Sequence, residues 1–179
     1  MKSVDLLSQD HKVILRSLDI LENIAARVQK GEKTNRDDVQ SILDFLRVFE
    51  DEYHQTKEET ALFPELMRCA ESEQTNLRQM LFEHDQERSL VDGLEEALKT
   101  NQATDFVLYA YRLSTILRGH IYKEDHLLFS IIETSISKEQ DERIVAEFEA
   151  FDRSLGIDKK RLLLASLASL ESKYLRKTA

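Results

Sequence analysis

Two segments of this 179-residue chain repeat one pattern: His54-Gln-Thr-Lys-Glu58-Glu-Thr-Ala-Leu-Phe63-Pro64 and His120-Ile-Tyr-Lys-Glu124-Asp-His-Leu-Leu-Phe129-Ser. In each, a histidine precedes a glutamate by four residues and Leu-Phe follows. On a helix, positions i and i+4 lie one turn apart on the same face. An imidazole and a carboxylate so placed can grip one metal ion. Two such pairs in a small chain require a fold that turns helix faces toward each other, and they point to a two-metal centre.

Composition agrees with helices. The chain has 4 Gly and 1 Pro, and helix-favouring Leu, Glu, Lys, Arg and Ala dominate. No window alternates with the strand period, so the fold class is all-α. The length fits one domain of ordinary size. The net charge of −9 argues against nucleic acid and against an anionic membrane surface. No apolar run reaches bilayer-spanning length. The N-terminal Met-Lys-Ser-Val-Asp lacks a signal-peptide core, and a single cysteine excludes an intramolecular disulfide or a thiolate cage. The expected compartment is a reducing cytoplasm, and Cys69 is expected to fill apolar space at a helix end.

Six helices are predicted, over about 3–30, 35–69, 72 or 75–99, 104–134, 137 to just before Gly156, and from a cap at Asp158 onward. Gly31 suits a helix C-terminus, and Ser137-Lys-Glu-Gln140 is a capping-box pattern. Short connections predict an up-down antiparallel four-helix bundle over residues 1–135. Residues 136–179 form a C-terminal helical extension, packed on the bundle or at a homodimer interface. His11 and His84 each have Asp eight, Leu ten and Glu eleven residues on. The first two helices therefore look like a distant copy of the next two.

Four histidines converge on one level. His11 and His54 are nearly equidistant from a first turn near Lys33, Glu58 and His84 from a second near Glu71, and His84 and His120 from a third near Gln102. His11, His84 and the His120/Glu124 pair share apolar stripes; that of the fourth helix is Phe106, Tyr109, Leu113, Ile116, Leu117, Leu127, Leu128 and Ile131. In the second helix the stripe Ile42, Phe45, Leu46, Phe49, Tyr53 slips by one residue before His54, which predicts a π-bulge there. Pro64 predicts a kink just beyond. Burying four imidazoles with two carboxylates leaves polar groups that a metal pair would satisfy. The candidate ligands are His11, His54, Glu58, His84, His120 and Glu124.

Other polar residues are expected to play lesser parts. His126 lies about 240° round the helix from His120 and should face solvent. Glu59 and Asp125 should point away from the metal face, solvated or paired with neighbours. Glu50 is a candidate acceptor for a ligand hydrogen bond. Glu65 is too far along to ligate. Tyr53, Tyr109 and Tyr122 are read as packing residues.

Nitrogen and hard-oxygen donors suit iron, with manganese or zinc as possible occupants. Two histidines per ion leave Glu58 and Glu124 to bridge the pair, with an oxo or hydroxo bridge between two Fe ions and one open position on each. The pattern His … His-x-x-x-Glu-Glu-x-x-Leu-Phe-Pro … Glu-His-Asp … His-x-x-x-Glu-Asp-x-x-Leu-Phe resembles the hemerythrin-like (HHE) cation-binding domain over roughly residues 5–132. The resemblance implies a four-helix bundle around a non-haem di-iron centre held by the same six residues. Oxygen-carrying hemerythrins use five histidines, and only four align here. Reversible oxygen storage then gives way to reaction with O2, peroxide or NO in redox or iron homeostasis, peroxidase- or catalase-like if enzymatic. The alternative is an iron or oxygen sensor acting through a partner or a dimer face without turnover.

Overall fold

In a computed structural model, which describes residues 1–175 (of Glu71 the backbone alone), the chain forms six helical rods. No β-strand occurs among the described residues. Rod α1 is Lys2–Gln29. Rod α2 covers residues 36–69 and begins as Arg36–Phe45. It continues as two π-helical stretches, Leu46–Gln55 and Glu58–Leu62, and finishes as Phe63–Cys69. A 3-10 turn, Glu71–Glu73, leads into α3, Gln74–Lys99. Rod α4 covers residues 103–135 as Ala103–Lys123, the π-helical Glu124–Leu128 and Phe129–Ser135. Rods α5, Lys138–Leu155, and α6, Ile157–Tyr174, complete the chain.

Local chemistry sets the boundaries. Gly31 takes φ +72°, a left-handed conformation that costs glycine little. There the amides of Gly31 and Glu32 donate to the last carbonyls of α1, Val28 O at 2.9 Å and Arg27 O at 3.0 Å. Asn35 caps α2 by accepting from the Asp37 amide at 2.8 Å, and Ser137 with Gln140 forms the predicted capping box of α5. Asp158 is not the cap of α6. Gly156, at φ +86°, holds that position, and Asp158 lies in the first turn, where its charge still favours the helix N-terminus.

Rods α1 to α4 are the predicted antiparallel bundle, and their apolar faces meet in two cores. One joins Leu18, Leu21, Leu43, Phe49, Leu94 and Leu113. The other joins Leu7, Phe63, Leu66, Leu77, Phe129 and Ile132. A layer of buried polar side chains separates them. Rods α5 and α6 lie against α1 and α2; Phe148 enters the second core, and Leu167, Leu170 and Tyr174 enter the first. The stripe on α6 is therefore covered by the bundle itself. Asp141 of α5 also accepts from the amides of Lys2 and Ser3, each at 3.1 Å, closing the otherwise uncapped start of α1.

The expected irregularity of α2 is present and larger than a single bulge. Tyr53, His54 and Gln55 are consecutive and all buried, which a regular amphipathic helix cannot achieve. The π-helical stretch in α4 was not expected. There Leu128 is buried while Leu127, assigned to the inward stripe, is 58% exposed. Tyr122, read as packing, is 60% exposed, and Cys69, read as an apolar filler, lies at the surface beside the Gln140 amide.

Candidate metal centre

All six sequence-predicted residues meet in the polar layer, each at most 3% exposed. They form two overlapping clusters. One is His11, His54, Glu58 and Glu124; the other is His84, His120, Glu58 and Glu124, and in each the donor atoms lie within 4.8 Å of one another. Both glutamates serve both clusters. Glu124 presents Oε2 to His11 Nε2 at 3.2 Å and Oε1 to His120 Nε2 at 3.1 Å. Glu58 presents Oε1 to His54 Nε2 and Oε2 to His84 Nε2, each at 3.5 Å.

The ring nitrogens facing away from the centre explain why these Nε2 atoms can act as ligands. His11 Nδ1 meets Asp125 at 2.8 Å, His84 Nδ1 meets Glu59 at 2.7 Å and His120 Nδ1 meets Glu83 at 2.8 Å. A carboxylate only accepts, so each Nδ1 carries the proton and each Nε2 turns its lone pair inward. Asp10 Oδ2 lies 3.7 Å from His54 Nδ1, longer than a hydrogen bond, and accepts from Lys57 Nζ at 2.8 Å. Lys123 pairs with Glu83 in the corresponding place.

These supporting acids were the part the sequence reading missed. Glu59 and Asp125 do point away from the cluster, but each reaches sideways to a histidine on another rod. Asp10 and Glu83 were not singled out. Their signal was present: an acid immediately precedes both His11 and His84, and a lysine follows both His54 and His120 at the third position. The Leu-Phe repeats also gain a reason. Phe63 stacks on His84 with ring centroids 5.9 Å apart, and Phe129 stacks on His11 at 5.6 Å. Glu50 is buried but accepts from Gln55, not from a histidine. His126 is exposed, and Glu65 pairs with Arg68 and Arg143.

The electrostatics call for positive charge. His11 Nε2 and all four oxygens of Glu58 and Glu124 are buried without a hydrogen-bond partner. His84 Nε2 and His120 Nε2 lie 3.0 Å apart, too close for two bare lone pairs unless a proton or a cation lies between them. Burial holds the His54 imidazole down, to about 4, and lowers His84 too. Burial opposes protonation of His11 as well, yet Asp125, Glu124 and Glu58 outweigh it and lift His11 to about 10. Glu124 and Glu83 likewise raise His120 against its burial. Burial and the neighbouring Glu124 charge push Glu58 well up. The inward set of four Nε2 atoms and four carboxylate oxygens fits a hard or borderline cation, which would replace the protons these groups otherwise hold.

A buried layer of histidines and carboxylates drawn from all four rods of a bundle defines a metal-binding helical protein. The sequence profile of the hemerythrin HHE cation-binding domain matches residues 2–132, and the chain belongs to that family. Comparison with curated proteins and with solved structures gave no match. No helix among the described residues is long and apolar enough to cross a membrane.

Proposed function

We propose that this chain is a di-iron protein that reacts with dioxygen, hydrogen peroxide or nitric oxide in redox or iron homeostasis. One observation carries the reading: Glu58 and Glu124 each offer one oxygen to each of two histidine pairs, as a shared bridge between two ions must. His11 and His54 would hold one ion, and His84 and His120 the other. Iron bound there would supply a redox-active Lewis acid with room for a small ligand. The chain's own residues prepare that site. Asp125, Glu59 and Glu83 fix three imidazoles in the ligating tautomer, Lys57 and Lys123 neutralise the acids behind the rings, and Phe63 and Phe129 exclude water from two ring faces. Rods α1 to α4 form the binding unit, residues 136–175 its cover, and the cytoplasm is the compartment we assign.

A sensor is the second reading, and it has its own support. Tyr53, in the π-helical stretch next to His54, donates to Asp152 of α5 at 2.5 Å, and Lys160 of α6 donates to both. A movement at His54 would thus reach both C-terminal rods. Iron-loaded full-length protein should contain two iron ions per chain by elemental analysis; one or none overturns the di-iron reading. Turnover of hydrogen peroxide separates the readings: measurable turnover supports the enzyme, and none, with iron-dependent protection of α5 and α6 from amide exchange, supports the sensor.

A further inference from the structure

The two halves of the centre follow an approximate twofold, and it fails at one place. With His11 taken as equivalent to His84, and His54 to His120, the supporting residues match in pairs: Asp10 with Glu83, Lys57 with Lys123, Glu59 with Asp125, Phe63 with Phe129. Three positions do not match. Between α4 and α1 stand Ile14 and Ile121 in the apolar core, with the partly buried Ile116 packed against it. Their equivalents between α2 and α3 are Glu87, Glu50 and Gln55, each at most 1% exposed. The polar three form one unit. Gln55 Nε2 donates to Glu50 Oε1 at 2.5 Å and to Glu87 Oε2 at 2.7 Å.

The fold does not require this unit, because three isoleucines suffice on the other side. Buried carboxylates without a cationic partner are costly. No lysine, arginine or histidine bonds Glu50 or Glu87 among the described residues, and Glu87 Oε1 and Gln55 Oε1 are buried with no partner at all. Two carboxylates around one amide, away from water, must hold at least one proton between them. Burial raises both groups, Glu87 to about 7. Both also lie close enough to His120 to feel its charge, and Glu87 feels Glu124. The unit is therefore a buried, proton-holding acid pair beside the candidate centre.

We propose that Glu50, Gln55 and Glu87 form a proton-exchanging acid pair serving hydrogen peroxide at the centre, on its α2/α3 side alone. This rests on the reading of the centre as a di-iron site. In the net reaction, two H2O2 give two H2O and one O2. One peroxide gains two electrons and two protons as its O–O bond breaks, and the second peroxide supplies both. The acid pair relays both protons one at a time, giving one to each hydroxide left by O–O cleavage to form two waters and recovering each from the second peroxide as it becomes O2. Gln55 donates to both carboxyls and ties them into one unit. The isoleucine side offers neither donor nor acceptor.

The test compares iron-loaded wild type with Glu87→Gln, Glu50→Gln and the triple variant E50I/Q55I/E87I, which copies the apolar side. Each variant should keep the iron content of wild type, since none of these residues is a proposed ligand. The triple variant should melt no lower than wild type, because it removes buried carboxylates. The infrared carbonyl band of a protonated carboxylic acid should be present in wild type and absent from the triple variant. Peroxide turnover should fall on the order of 100-fold in Glu87→Gln and in the triple variant. Wild-type turnover in the triple variant, or no protonated-acid band in wild type, overturns the proposal and leaves the di-iron reading intact. Wild type that takes up no iron strikes the di-iron reading itself.

Discussion

The α1/α4 and α2/α3 sides of the centre carry matching supporting residues and differ most in what fills the space beside it. In both halves an acid steadies a histidine on another rod, a phenylalanine covers one ring face, and a lysine pairs with the acid preceding a histidine. One side then closes with isoleucines, the other with two glutamates and a glutamine. The lesson is that the repeated residues build the site and the unrepeated ones make its two sides unlike. A second difference is smaller. Glu83 meets His120 at 2.8 Å, whereas Asp10, one methylene shorter, stays 3.7 Å from His54.

The comparison breaks most completely at the shared carboxylates. Glu58→Ala or Glu124→Ala removes a group common to both clusters, so each variant should lose both of the proposed metal ions by elemental analysis. His11→Ala and His84→Ala should weaken one ion more than the other. Next in size is the aromatic cover. Phe63 and Phe129 are each buried and equivalent, so Phe63→Ala and Phe129→Ala should each cost about 3–5 kcal/mol in denaturant unfolding; a clear inequality would show that the halves are not equally packed. The acids behind the rings sharpen the comparison. Glu83→Gln should lower metal affinity by roughly 10–100-fold in a chelator competition, and Asp10→Asn by less, because its contact is longer.

The smallest effect is in pH. Without a bound ion, Asp125, Glu124 and Glu58 outweigh burial and lift His11 from its ordinary 6.5 to about 10. A group raised on folding stabilises fully below its unfolded value and loses that contribution as pH rises through the folded one. Stability should therefore decline between about 6.5 and about 10, and His11→Gln should flatten that decline in thermal melts. Metal uptake has the opposite slope, because the ion competes with the proton for Nε2.

Much of this was legible along the chain. The i, i+4 His-Glu pairs and the equal distances from the turns placed six side chains in one layer, because helix rise and antiparallel packing leave little freedom. The stripe that slips between Phe49 and His54 revealed the π-helical stretch of α2. The stretch in α4 gave no such warning, since Leu127 and Leu128 are both apolar and either could have faced inward. The roles of Glu59, Asp125 and Glu83 were hidden for another reason. Each hydrogen bond runs between rods, 25, 114 or 37 residues apart in the chain, and periodicity within one helix carries no information about such a pair.

By itself, then, the sequence determined that the chain would be helical, where the rods begin and end, and which imidazoles and carboxylates share a level, because these follow from local propensity and fixed helical rise. Only the tertiary structure decided which acid orients which ring, that Glu50, Gln55 and Glu87 share one buried hydrogen-bonded unit, and that α6 lies on the bundle. Those outcomes depend on how neighbouring rods rotate and which surfaces they hide from water, and such rotations are set by packing between distant segments.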